Sequence, residues 1–147
     1  MEKHVMQYQT VHFNLNGKDV ERTVDGRASL TDMLRNDFRM TSVKKGCEVG
    51  ECGACNVIID GEAFNSCIYL AVWAEGKHIR TLESLMGEDG ELSDIQQAFL
   101  EEAAVQCGFC TPGFVILKQC CVSTRARQRG KRQRRQAHAE GSGTHQR

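Results

Sequence analysis

The sequence predicts an α+β protein in three parts: a small mixed sheet curled around one helix, a short helical unit, and a basic tail. Three observations carry that expectation. Alternating apolar residues interrupted by Asn16-Gly17 and Asp60-Gly61 mark hairpins in the first half. Helix caps replace strand signals after Met86. Charge then separates: residues 1–121 hold 11 Lys/Arg against 18 Asp/Glu, net −7, and residues 122–147 hold 8 against 1, net +7. With 147 residues, 40% of them hydrophobic, the chain can bury a modest core in one ordinary domain or two small ones.

In order, Val11, Phe13 and Leu15 alternate with His12 and Asn14, and Asn16-Gly17 supplies a type I′ turn. Val20, Arg22 and Val24 lead back to complete a hairpin. Ser29 is a good N-cap with Asp32 three residues on, and Leu30, Met33, Leu34 and Phe38 fall on one helical face that should pack on the hairpin. Segment 56–64 reads as strand, Asp60-Gly61 turn and strand. Ile68 to Ala74 is apolar enough for a buried helical turn or a strand, with Tyr69 and Trp73 expected in the core, and Lys77 to Leu82 looks like a short closing strand. The acidic, glycine-bearing stretch from Met86 to Glu91 is the expected boundary. It divides a first domain over 8–86 from a second over 91–121, and the tail over 122–147 follows. Ser93 and Gln96 form a capping box for a helix to about Ala103, with Leu92, Ile95, Ala98 and Phe99 on its apolar side. Thr111 and Pro112 read as N-cap and first residue of another helix, Gly113 to Leu117.

Chemistry concentrates between Gly46 and Cys67. Cys47, Cys52, Cys55 and Cys67 form a C-x4-C-x2-C run followed by a fourth Cys. Regular structure at that spacing would point three thiols in different directions, so they must converge from a loop. Gly46, Gly50 and Gly53 let its backbone approach an inorganic centre and aim N–H groups at sulfur. This is the ligand order of plant-type [2Fe–2S] clusters. Structural zinc also takes four thiolates but usually from two C-x2-C knuckles, and disulfides are disfavoured where no export signal is present. The first residues lack an apolar leader core and no apolar run reaches membrane-span length, so a cytoplasmic protein with no membrane partner is expected. Cys107 and Cys110 form a second C-x2-C just ahead of a helix N-terminus, a place that favours thiolates; alone it reads as half a metal site or a redox dithiol. His4, His12, His78, His138 and His145 are isolated, and none is expected to be a ligand.

Together the stretches GCEVGECGACNV, SCIYLA and QCGFCTPGF resemble the small iron–sulfur subunit of the xanthine dehydrogenase, or molybdenum hydroxylase, family over roughly residues 8–117. The resemblance implies a plant-ferredoxin-like β-grasp domain followed by a helical-bundle domain, each with one [2Fe–2S] cluster. It implies Cys47, Cys52, Cys55 and Cys67 as ligands of the first cluster and Cys107 and Cys110 as half of the second. Gln106 would approach the pterin. Electrons would pass from a molybdenum cofactor in a large subunit to FAD in another, with purine oxidation the family-level expectation and hydroxylation left to the large subunit.

The C-terminus departs from that pattern. The family completes its second cluster with a later C-x-C pair, and none follows Cys110. Cys120 and Cys121 are poor substitutes, because Cys120 lies ten residues, about 15 Å of helix, beyond Cys110. The second helical domain is therefore expected to be incomplete and its cluster to form only if the missing pair is restored. The exposed side of Phe114 to Leu117 points to a lost domain or a partner. The tail's only apolar residues are Val122 and three alanines, so it is expected to be disordered, and its abrupt onset suggests a shifted reading frame after Leu117. It could instead bind nucleic acid by charge, but it has no aromatic residues for stacking, and no nucleic-acid partner is expected. The alternatives are a free-standing ferredoxin with a potential of roughly −400 mV, a non-functional frameshifted product, and a zinc-binding adaptor.

Overall fold

The computed structural model describes residues 7–87 and 89–141. The start of the leader reading with His4, the boundary residue Glu88, and the tail's last six residues with His145 lie outside them. Strand β1 (Tyr8–Leu15) turns into β2 (Lys18–Asp25) through Asn16 and Gly17, at φ 54° and 86°. Those two left-handed residues set the turn, and the resulting register places Val11, Phe13 and Leu15 on the buried face. Helix α1 (Leu30–Asp32) continues as a π-turn over Met33–Asp37. Ser29 caps it, its hydroxyl oxygen accepting the Asp32 N–H at 3.1 Å. Leu30, Met33 and Leu34 are buried, and Phe38 stands edge-on to Phe13 with ring centroids 5.5 Å apart.

Strands β3 (Asn56–Ile59) and β4 (Glu62–Asn65) form the second hairpin. The expected closing strand, β5 (His78–Arg80), takes the centre of the sheet, parallel to β1 and antiparallel to β3, giving the order β2-β1-β5-β3-β4. Between β4 and β5 the apolar stretch forms 3-10 turns over Ser66–Ile68 and Ala71–Ala74. Trp73 is corrected from core to surface. It is 53% exposed, because the turn directs the small Ala71 and Ala74 inward and leaves the indole against the ring of Tyr69.

Alternation along β3 divides the molecule into two cores. Val57 and Ile59 face α1 and the main core, while Ile58 faces the other side and meets the helices that follow. These are α2 (Asp94–Glu101), with the capping box of Ser93 and Gln96, and α3 (Thr111–Gly141). Val115 and Ile116 of α3 are buried against Ile58 and Leu85, and Ile95 and Phe99 of α2 pack beside them; Leu92 and Ala98 stay exposed. Two expectations shift. The Cys110 carbonyl already accepts the Phe114 N–H at 3.2 Å, so Cys110 takes the cap position expected of Thr111. The expected disorder beyond Cys121 is also replaced, because α3 continues as helix to Gly141. Arg, Gln, Lys and Ala are strong helix formers, so the backbone extends without an apolar face to dock.

Candidate metal centre

The loop from Gly46 to Cys55 winds around the Cys47 sulfur. Left-handed backbone at Glu48, Gly50 and Gly53, at φ 57°, 82° and 68°, turns successive N–H groups inward. Cys47 Sγ accepts from the N–H groups of Glu51, Cys52 and Val49 at 3.3, 3.4 and 3.5 Å. Those donors, Val49 foremost, hold the Cys47 thiol down at about 6. Gly46 is needed for space, because a Cβ there would stand 2.9 Å from Cys52 Sγ.

Cys52 lies beside Cys47, its N–H donating to the Cys47 sulfur at 3.4 Å, and the Cys55 thiol lies beside Cys67. Burial and then the Cys55 contact push the Cys67 thiol up to about 11, opposed by the Gly50 N–H. Two thiolates on each of two irons is the ligand demand of a [2Fe–2S] cluster, and the inward N–H groups favour the anionic sulfurs that demand requires. The donor set therefore fits that group. Among the described residues, no three His, Cys, Asp or Glu side chains gather into a site for a single metal ion.

Side chains outside the motif secure this geometry. Asn65 Nδ2 donates to the Gly50 carbonyl at 2.6 Å. Ser66 is fully buried, donates to the Cys55 carbonyl at 2.7 Å and shares a 2.6 Å hydrogen bond with Thr31 of α1. Lys45 bridges Asp32 of α1 at 2.9 Å and Glu48 at 3.1 Å, so the loop is held to the helix by charge as well. Asn65, Ser66, Thr31 and Lys45 were not singled out from sequence. Asn65, Ser66 and Lys45 lie within two residues of a motif cysteine, which is the one signal that pointed to them.

The second C-x2-C lies beside the first site. Phe109 reaches the loop at Gly46, and Gly113 packs so closely on Gly53 that a Cβ would overlap its carbonyl oxygen and come within 3.1 Å of Ala54 Cα. One cleft is lined by Cys52 and Glu51 from the loop and by Cys110, Phe114 and Leu117 from the helix. Cys107 and Cys110 are both exposed, as is Gln106 before them. Cys120 is directed away from them, its thiol donating to the Gly61 carbonyl at 3.5 Å, and Cys121 is exposed. Among the described residues, this second set stops at two thiols.

A four-thiol loop of this order on a mixed sheet, with helices docked behind it, defines an iron–sulfur protein of ferredoxin-like type. Comparison with known proteins agrees. Residues 13–83 match the 2Fe-2S iron-sulfur cluster binding domain and residues 81–142 the [2Fe-2S] binding domain, a match that runs on through the basic stretch. The chain is 50% identical over 107 residues to the xanthine dehydrogenase iron-sulfur-binding subunit of Escherichia coli O157:H7, covering 73% of this chain and 66% of that one. It is 49% identical over 107 residues to the nicotinate dehydrogenase small FeS subunit of Eubacterium barkeri, covering 73% and 68%. The solved quinoline 2-oxidoreductase from Pseudomonas putida 86 superposes with a TM-score of 0.76 at 39% identity, over 80% of this chain and 72% of that one. The chain thus belongs to the family of iron–sulfur subunits of xanthine dehydrogenase-type molybdenum hydroxylases. It spans about two thirds of the length of the curated relatives it matches. No described helix is long and apolar enough to cross a membrane.

Proposed function

We propose that this chain is the electron-transfer subunit of a molybdenum hydroxylase, relaying electrons from a molybdenum centre in a large subunit to FAD in another. The observation that carries this reading is the loop that turns the N–H groups of Val49, Glu51 and Cys52 onto the Cys47 sulfur, with Cys55 at its end and its carbonyl tied through Ser66 to the turn that carries Cys67. These four would hold one [2Fe–2S] cluster, which supplies one-electron acceptance and release when bound. The residues of the chain fix the ligands, shield Cys55 and set the sulfur hydrogen bonds. The sheet around α1 supports a β-grasp first domain over 8–86, and the helices over 91–121 a partial second domain. Cys107 and Cys110 are assigned as half of a second ligand set, and Gln106, beside them, as the pterin contact. The reaction, with purines as the expected substrate class, resides in the large subunit, in a cytoplasmic complex.

The test is anaerobic mixing of the iron-loaded chain with molybdenum-binding and FAD-binding subunits, followed at the flavin absorbance. Substrate should reduce the flavin with wild-type chain and fail to do so with Cys52→Ser. Equal flavin reduction by C52S would remove the reading. A second reading, a single-cluster ferredoxin acting alone, is favoured by the half-set at Cys107 and Cys110. It predicts that the chain does not co-purify with either subunit.

A further inference from the structure

Asn65 ends β4, paired across the ladder with Asn56, and stands at the cap position of the 3-10 turn Ser66–Ile68. An asparagine side chain there ordinarily accepts an N–H of its own turn. This one makes no such bond, and its Nδ2 donates instead to the Gly50 carbonyl at 2.6 Å, across 15 positions. The Gly50 carbonyl and the Glu51 N–H belong to one planar peptide unit. That N–H is the shortest of the three donors to Cys47 Sγ, at 3.3 Å. The peptide before it supplies the Gly50 N–H, which bonds the Cys67 sulfur. Asn65 therefore grips the one residue whose two flanking peptides serve the first and last of the four thiols. Gly50 has little room to yield, since its φ is 82° and Ile68 Cδ1 lies 3.0 Å from where a Cβ would stand. Hydrogen bonds in series polarise one another, so an amide donor on the Gly50 carbonyl makes the Glu51 N–H a stronger donor to sulfur.

We propose, on the assignment of Cys47, Cys52, Cys55 and Cys67 as ligands of one [2Fe–2S] cluster, that Asn65 is a positioning residue that raises the reduction potential there. It acts through the Gly50 carbonyl, strengthening the Glu51 N–H bond to the Cys47 sulfur. Donors to sulfur favour the more negative, reduced form, so a weaker donor lowers the potential.

The test is an anaerobic redox titration of the iron-loaded full chain, wild type against Asn65→Leu and Asn65→Ala, followed by the electron paramagnetic resonance signal of the reduced protein. Leu fills the volume of the amide and offers no donor. The ratio of reduced to oxidised protein at a fixed potential should fall roughly two- to fourfold in that variant. Ala leaves room for a water to donate to the freed carbonyl, so its ratio should fall between those of wild type and Leu. Iron and sulfide content and the hydrogen-exchange protection of the loop amides over 46–55 should be retained, because the loop keeps its course while one donor weakens. A ratio unchanged or raised in both variants would overturn the proposal. So would a lowered ratio accompanied by lost protection throughout the loop, which would leave Asn65 a merely structural part. If the Leu variant fails to load iron, the Ala variant decides alone by the same outcomes. Absence of a [2Fe–2S] signal from the loaded wild type, or its survival in Cys52→Ser, would instead remove the ligand assignment, and the proposal with it.

Discussion

Gly113→Ala tests how the helical part is held against the cluster loop. The glycine packs directly on the backbone of Gly53, and an added Cβ would overlap the Gly53 carbonyl and stand 3.1 Å from Ala54 Cα. Neither obstacle is a side chain that could swing aside, so the helix must lift from the loop or the loop must move. Overpacking of this kind costs about 1–3 kcal/mol, and contact with backbone places it at the upper end. The helix is docked mainly by Val115 and Ile116, each contributing roughly 1.5–3 kcal/mol by burial. One methyl group is thus expected to cancel half or more of the docking energy. The main core contains no residue of α3, so the first domain should keep its stability while the helix loosens. Hydrogen exchange resolves the two: amides from Phe114 to Cys120 should lose protection, and those of β1 and β3 should keep theirs. Unchanged protection over Phe114 to Cys120 would refute the idea that this contact positions the helix.

Three further outcomes follow from the same geometry. Gly46→Ala brings a Cβ to 2.9 Å from Cys52 Sγ, so iron release to a chelator should speed up severalfold with secondary structure retained by circular dichroism. Glu83 joins the entry of the cluster loop to the end of β5, accepting from the Ser42 and Thr81 hydroxyls and the Ser42 N–H. Burial opposes its ionisation, but these donors outweigh burial and hold its carboxyl below the ordinary value. A lowered carboxyl stabilises the fold above its ordinary titration point, near 4.5, and that contribution fades as the pH falls through the folded value. Glu83→Gln should therefore cost about 1–2 kcal/mol in urea unfolding at neutral pH, a difference that shrinks as the pH falls below the ordinary carboxyl titration point. Trp73→Ala, at a half-exposed ring, should cost under about 1.5 kcal/mol in the same assay, well below the penalty for a core tryptophan.

Local chemistry was legible in the sequence wherever a few adjacent residues decide the outcome. Asn16-Gly17 and Asp60-Gly61 adopt the positive φ pairs their hairpins need, and Ser29 and Ser93 make the caps expected of them. The loop from Gly46 to Cys55 turns its N–H groups onto the Cys47 sulfur for the same reason, since spacing and glycines constrain it directly. What sequence left open is set by long-range contact. The three residues of β5 carry no signal that they lie between β1 and β3; Asp60 and His78 settle that by hydrogen bonds across 18 positions. Where Cys67 lies depends on how β4 returns the chain, and Ser66 and Thr31, 35 residues apart, fix that return. The helical course of residues 122–141 escaped because a run of Arg and Gln has no apolar period, although its residues favour helix.

The most direct test of the central claim is to reconstitute the full chain anaerobically with iron and sulfide and measure iron, sulfide, zinc and the electron paramagnetic resonance signal after dithionite reduction. About two irons and two sulfides per chain and one reduced [2Fe–2S] signal are expected. That signal should be lost in Cys52→Ser and kept in a Cys107→Ser, Cys110→Ser double variant. One zinc per chain with no sulfide, or a cluster signal that survives C52S, would contradict it.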